Sequence, residues 1–387
     1  MKVVIAPGAF KGSLPAKEVA GALAEGVGRV WPEALVERLP LSDGGDDWVD
    51  SMVTAAGGSF VDVEVRGPLG EEVEAYYGVI ESDGVATAVI EMAKASGLAL
   101  VPRDARDPRV ATTYGTGELI RHALDGGVKR LLVGIGGSAT NDGGAGMASA
   151  LGARFLDDRG DELPPGGAAL ADLDRVDLSG LDPRLEEVDV VVASDVENPL
   201  LGEDGASAVY GPQKGATPEM VEELDAALAH FADVVEDAVG RRVRADPGAG
   251  AAGGIGFGLM ALCGAELRPG VELALDSLEA DRVMEDASLV ITAEGRLDAQ
   301  TLAGKLPVGV ARRARRHGVP VVAVGGAVAP MEDSVLERFR EEGIVVLCSS
   351  VETPASEEEL MDADATRQRL ERAAERVARL VDLGRQL

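Results

Sequence analysis

The chain has 387 residues, 46% of them apolar and only 3% aromatic, with 50 glycines. That is long enough for two or three domains whose cores are built from Ala, Val, Leu and Ile. Against 37 Lys and Arg stand 67 Asp and Glu, a net charge of −30, which excludes nucleic acid and anionic membrane as expected partners.

The chain opens on Met-Lys-Val-Val-Ile-Ala-Pro, a strand pattern rather than a signal peptide, and no apolar run is long enough to span a bilayer. A soluble, cytoplasmic protein is expected. Strand Lys2–Ala6 leads to the loop Pro7–Ser13, helix Pro15–Val30 and strand Leu35–Leu39. Ser13 is placed to cap that helix, with Pro15 early in it. The loop carries Lys11 and opens at the carboxyl end of a strand, where open α/β sheets take ligands. A second polar turn, Ser42-Asp43-Gly44-Gly45-Asp46-Asp47, precedes helix Trp48–Ala56.

From Phe60 to Met92 the pattern changes to short alternating strands, Phe60–Val65, Glu72–Ile80 and Ala86–Met92, separated by Gly-Pro and Asp-Gly turn signals. This predicts a second, mixed-sheet domain. Thr112-Thr113 opens a helix, and the apolar run ending at Val133 leads into Gly134-Ile-Gly-Gly-Ser-Ala-Thr-Asn-Asp-Gly-Gly-Ala-Gly146. A strand, a glycine-rich turn and a helix form a layout that cradles phosphate. The spacing matches neither a P-loop nor a clean dinucleotide fingerprint, so a tight packing turn stays open as the alternative.

Strand Val188–Ala193 ends in Ser194-Asp195-Val-Glu-Asn198-Pro, followed by Gln213-Lys214-Gly, an amphipathic helix and the Gly/Ala run Gly248–Gly258. After residue 280 the first pattern returns. Strand Leu289–Thr292 leads to Glu294-Gly-Arg296-Leu-Asp298, then come helix Pro307–His317, strands Val319–Val324 and Ile344–Leu347, and a charged helix Glu357–Leu383. The expected organisation is a discontinuous domain, 1–65 and 280–387, with an α/β domain, 66–279, inserted in it. Cys263 and Cys348 read as structural thiols, and His122, His230 and His317 have no catalytic motif around them. Lysine occurs only at 2, 11, 17, 94, 129, 214 and 305. Lys11, Lys214 and Lys305 fall in the glycine-containing polar segments.

Acidic turns that follow strands are the materials of phosphoryl transfer, which needs carboxylates for Mg2+, a group to orient the attacking hydroxyl, and cations and N–H donors for phosphate. The segments Gly136–Gly144, Asp195-Val-Glu-Asn-Pro-Leu200, Gln213-Lys-Gly-Ala216, Gly250-Ala-Ala-Gly-Gly254 and Glu294-Gly-Arg-Leu-Asp-Ala-Gln-Thr301 together resemble the type I glycerate kinase family, in the same order along nearly the whole chain. The resemblance implies two unlike α/β domains, one Rossmann-like and three-layered, the other the inserted mixed-sheet domain, with the active site in the cleft between them. It implies ATP-dependent phosphorylation of glycerate, most often at the 2-hydroxyl, with ATP and Mg2+ as cofactors. Glycerate and ATP are then the partners, and a homodimer is compatible with them.

Within that frame Asp195, Lys11 and Arg296 are the expected catalytic residues. Asp195 orients or deprotonates the hydroxyl, while Lys11 and Arg296 counter substrate or phosphate charge. Ser13, Gly136, Gly137, Ser138, Thr140, Asn141, Asn198, Lys214, Gln300 and Lys305 are the expected substrate and phosphate contacts. Asp43, Asp142, Glu294 and Asp298 are the expected metal ligands, direct or through water. Two departures from the family pattern stand out. Gly8 and Ala9 replace an Asp-Ser pair, and Asp46-Asp47-Trp48 follows Asp43-Gly-Gly, with Asp46 standing in for a glutamate and Trp48 expected to narrow or cover the pocket. A dinucleotide-dependent dehydrogenase, or a kinase-like protein with altered substrate or lost activity, are the alternatives.

Overall fold

The computed structural model describes residues 1–353 and 355–386. In chain order the strands are β1 (Lys2–Ile5), β2 (Leu35–Arg38), β3 (Ser59–Arg66), β4 (Glu72–Ser82), β5 (Val85–Glu91), β6 (Arg130–Gly134), β7 (Arg154–Leu156), β8 (Arg175–Asp177), β9 (Asp189–Ala193), β10 (Glu266–Arg268), β11 (Leu289–Leu297), β12 (Val321–Val328) and β13 (Ile344–Ser349). Two compact units share them: Met1–Asp43, Asp50–Gly57 and Val271–Leu387 form the first, and Gly44–Val49 with Gly58–Gly270 the second.

The first unit has a five-stranded sheet in the order β13-β12-β11-β1-β2, parallel throughout. Its central strands are unbroken apolar runs: Val3, Val4, Ile5, Val290 and Ile291 are all 0% exposed. Strands covered on both faces by helices read this way. Helix Ala16–Gly28 packs on helix Ala363–Gln386 through Leu23, Leu370 and Ala374. The two backbones approach so closely at Gly26 that an added Cβ would lie 2.1 Å from the Glu371 carbonyl. Strand order reverses between β1 and β11, and the crevice at the carboxyl ends of such a pair is where open parallel sheets bind ligands.

The second unit has a six-stranded sheet, β10-β9-β6-β5-β4-β3. Strands β10, β9, β6 and β5 run parallel, while β4 and β3 are antiparallel. Strands β7 and β8 form a separate two-stranded ribbon. The sequence grouped residues 1–65 together, but β3 pairs along its length with β4, Ser59 facing Val79 and Arg66 facing Glu72. It therefore belongs to the second sheet. The turn Gly44–Val49 is also held in the second unit, where the Gly44 carbonyl accepts the Gly136 N–H.

Other departures from expectation are local. The C-terminal helix is two helices, Glu357–Met361 and Ala363–Gln386, with the Asp362 carboxylate accepting the Ala365 N–H at the break. Strand β10 has three residues, too few for a periodic signal. Ser13 does not cap the first helix: Pro15 holds the N-cap position without a side-chain bond. Trp48 is 0% exposed and its ring fills the space beside Gly134, where a Cβ would lie 2.8 Å from the indole. It is core of the second unit. Among the described residues no helix is long and apolar enough to cross a membrane.

Candidate active site

The carboxyl edge of the first unit's sheet gathers Lys11, Asp43, Glu294, Arg296, Asp298 and Lys305. Glu294 ends the buried part of β11, where the burial pattern changes from buried to half-buried. Its carboxylate lies 3.7 Å from the Lys305 ammonium, and its Oε2 is buried without a hydrogen-bond partner. Burial pushes the Glu294 carboxyl up, Lys305 pulls it back, and the charges of Asp298 and Asp43 raise it further. The Glu294 carboxyl therefore feels two other carboxylates here.

Asp298 is partly spent on local structure. It caps the short helix Ala299–Ala303 by accepting the Gln300 N–H at 2.9 Å, and its other oxygen takes Arg296 Nε at 3.1 Å. Arg296, Gln300, Lys305 and Lys11 are exposed. Ser13 Oγ is buried and has no partner. The Gly8 N–H donates to the Ala293 carbonyl at 2.9 Å, so the loop after β1 is tied to β11 just before Glu294.

In the second unit the glycine-rich turn follows β6. Gly137 is exposed and left-handed, with φ +74°. Beyond it the turn descends into the core: Ser138 is 7% exposed, and Thr140 and Asn141 are 0%. Asn141 Nδ2 donates to Ser207 Oγ at 2.9 Å. The Thr140 carbonyl accepts Lys214 Nζ at 2.6 Å. Lys214 is itself 1% exposed, and burial pulls its ammonium down to about 7 although the Asp142 charge opposes this.

Asp142 is 1% exposed. Its Oδ2 accepts the Thr113 N–H at 2.8 Å, Thr113 Oγ1 at 2.9 Å and the Gly146 N–H at 3.2 Å. Its Oδ1 accepts the Gly144 N–H at 3.1 Å. Burial pushes this carboxyl up against those donors. The expectation of a metal ligand does not fit this geometry, because the oxygens are occupied by donors of the same unit. Contact of Thr140, Asn141 or Lys214 with phosphate does not fit either, since all three lie inside. They hold the turn from beneath, and Gly136–Ser138 is the part left at its outer end.

Asn198 is likewise a brace rather than a free contact. Its Nδ2 donates to the Asp204 carbonyl and its Oδ1 accepts the Tyr210 hydroxyl, each at 2.8 Å. Asp195 follows β9 and is exposed, and its Oδ1 accepts the Gly270 N–H at 3.0 Å.

Several residues that shape the site escaped sequence reasoning. Thr112 and Thr113 were read as a helix opening, yet they anchor Asp142. Glu91, 3% exposed, lies beside Lys94 at 3.6 Å at the end of β5. A charge closing the apolar run Ala-Thr-Ala-Val-Ile is the signal that would have found it. Gly253, with φ +73°, presses against the Thr140 carbonyl, where an added Cβ would lie at 1.9 Å, and its own carbonyl accepts the Gly143 N–H. The Gly250–Gly254 run is thus the backbone counterpart of the glycine-rich turn.

The sequence profile of the glycerate kinase family matches residues 3–382. A Bacillus subtilis (strain 168) glycerate kinase is 48% identical over 385 residues, covering 100% of this chain and 99% of that protein. The Escherichia coli (strain K12) glycerate 2-kinase is 50% identical over 328 residues, 85% of this chain and 86% of its own length. A crystal structure from Salmonella typhimurium LT2, described as a candidate glycerate kinase 2, superposes with a TM-score of 0.90 at 47% identity, covering 100% of both chains. The chain is an enzyme of the phosphotransferase class and belongs to the glycerate kinase family.

Proposed function

We propose that this enzyme transfers the γ-phosphoryl group of ATP to the 2-hydroxyl of D-glycerate, giving 2-phosphoglycerate and ADP. The observation that carries the reading is the charged set at the carboxyl ends of β1 and β11: Glu294, Asp43 and Asp298 among the cations Lys11, Arg296 and Lys305. The 50% identity to a protein named glycerate 2-kinase supports the choice of hydroxyl.

The acidic set fits Mg2+. Glu294 Oε2 is buried and unpartnered, all donors are hard oxygens, and two more carboxylates lie within electrostatic reach. Among the described residues no three His, Cys, Asp or Glu form a cage for a metal. Mg2+ takes one or two carboxylates and completes its shell with water and phosphate oxygens. Glu294 is the first residue to hold it, with Asp43 and Asp298 in support, and when bound it neutralises charge on the phosphoryl oxygens.

Asp195 accepts the proton of the attacking hydroxyl, its carboxylate aimed by the Gly270 N–H. Lys11, Arg296 and Lys305 offset negative charge on the substrate carboxylate and the transferring group. At the outer end of the glycine-rich turn the backbone N–H groups of Gly137 and Ser138 are offered to an anion, that of Gly136 being held by the Gly44 carbonyl. Incubation of the protein with ATP, Mg2+ and D-glycerate, followed by phosphorus NMR, tests the reading. A 2-phosphoglycerate resonance supports it; 3-phosphoglycerate alone overturns the regiochemistry; no product refutes the activity.

A further inference from the structure

The first unit contains a cavity of about 360 Å³ at the carboxyl edge of its sheet. Residues that follow β1, Gly295 of β11, and the ends of β12 and β13 bound one side, and Leu360, Met361, Thr366 and Arg369 line the other. Its walls are largely apolar, with Phe10, Val328, Val351, Leu360 and Met361 contributing. No role has been given to it so far.

We propose that this cavity seats the nucleoside of the phosphoryl donor, an inference that rests on the ATP dependence argued above. The volume lies in the range of about 300–1,000 Å³ typical of small-molecule sites, which are apolar with a few placed polar groups. A three-carbon hydroxy acid would leave most of it empty and would find the wrong walls, because its charge and hydroxyls need polar partners. A purine fills apolar volume, and a ribose brings hydroxyls. Ser13 is among the lining residues.

The phosphate end is also marked. Lys11 lines the cavity, is exposed, and has no ion-pair partner among the described residues. Gly295, another lining residue, lies between Glu294 and Arg296 in the chain. A nucleoside seated here leads its phosphates along the edge that carries the carboxylate set. That edge adjoins the point where strand order reverses, between β1 and β11. Cavity volume, largely apolar walls and an unpaired cation thus converge on one ligand class.

Ala327 and Thr353 line the cavity and are exposed, so Ala327→Trp and Thr353→Trp can fill it with little strain on the core. Steady-state kinetics on the full-length chain should show KM for ATP rising roughly tenfold or more, with KM for D-glycerate held within about twofold. Saturation-transfer NMR with adenosine alone should give base-proton signals with the wild type that Ala327→Trp abolishes. Unchanged KM for ATP in both folded variants overturns the proposal, as does a rise confined to KM for glycerate. Should the wild type fail to use ATP, the proposed activity falls, and the adenosine signals still decide whether the cavity takes a nucleoside: signals lost in Ala327→Trp uphold it, and none with the wild type overturns it.

Discussion

Lys214 offers a sharp test of how the glycine-rich turn is held. Its ammonium is 1% exposed, donates to the Thr140 carbonyl, and is pulled by burial from 10.5 to about 7. Below pH ~7 the lysine is protonated both folded and unfolded, so its proton count gives no pH dependence. Between ~7 and ~10.5 the unfolded chain keeps the proton and the folded chain releases it, so stability rises with pH. The slope is about 1.4 kcal/mol per pH unit, and the whole interval is worth about 5 kcal/mol.

Lys214→Met removes the titration and keeps much of the volume. It also leaves the Thr140 carbonyl without its donor, a loss of about 1–3 kcal/mol that does not change with pH. Titrating groups other than Asp142, whose charge acts on Lys214, cancel when wild type and variant are compared at each pH. Trp48 is buried in the second unit, so its fluorescence in a Trp31→Phe background follows that unit alone through a guanidinium titration. From about pH 7.5 to 9.5 the wild type should gain roughly 2–3 kcal/mol over the Met variant. Parallel profiles would refute the picture of a buried, discharging lysine, and a wild type that loses ground would reverse its sign.

Three further outcomes follow from the same geometry. Asp142→Asn faces backbone N–H donors with an amide and should cost roughly 2–4 kcal/mol in thermal or urea unfolding; wild-type stability with a raised Mg2+ requirement would restore it as a metal ligand. Gly253→Ala places a Cβ 1.9 Å from the Thr140 carbonyl and should cost at least about 3 kcal/mol, whereas Gly240→Ala, equally left-handed but in open space, should cost about 1 kcal/mol; equal melting temperatures would contradict this. Lys305 pulls the Glu294 carboxyl down, so in Lys305→Ala the acid limb of kcat/KM should move to higher pH, and a limb that stays in place would separate Glu294 from the reaction.

Much of the architecture was legible because the signals are local. Unbroken apolar runs such as Val3–Ile5 and Leu289–Ile291 announce parallel strands covered on both faces, and glycine and acidic turns mark where those strands end. Asp43, Glu294 and Asp298 were singled out this way, and in the structure the charges of Asp43 and Asp298 act on the Glu294 carboxyl. The alternating pattern grouped strand β3 with the strands that follow it, as its pairing with β4 bears out, but the domain bound at residue 65 cut it off from them, because a period marks a half-buried strand and not where a domain begins. β10 was missed because three residues carry no period.

By itself, the sequence determined the α/β class, the family resemblance and the positions of the polar turns. Tertiary structure alone decided which residues of those turns face outward. Gly137 and Thr140 sit in one continuous motif, yet one is exposed and the other is 0% exposed. The difference comes from Ser207, Lys214 and Gly253, which close over the inner half of the turn from more than sixty residues away in the chain. A turn has no periodicity to say which side will be covered. Burial is a property of what packs against it, and so the same aspartate and lysine that read as ligands are spent inside the fold on holding its backbone.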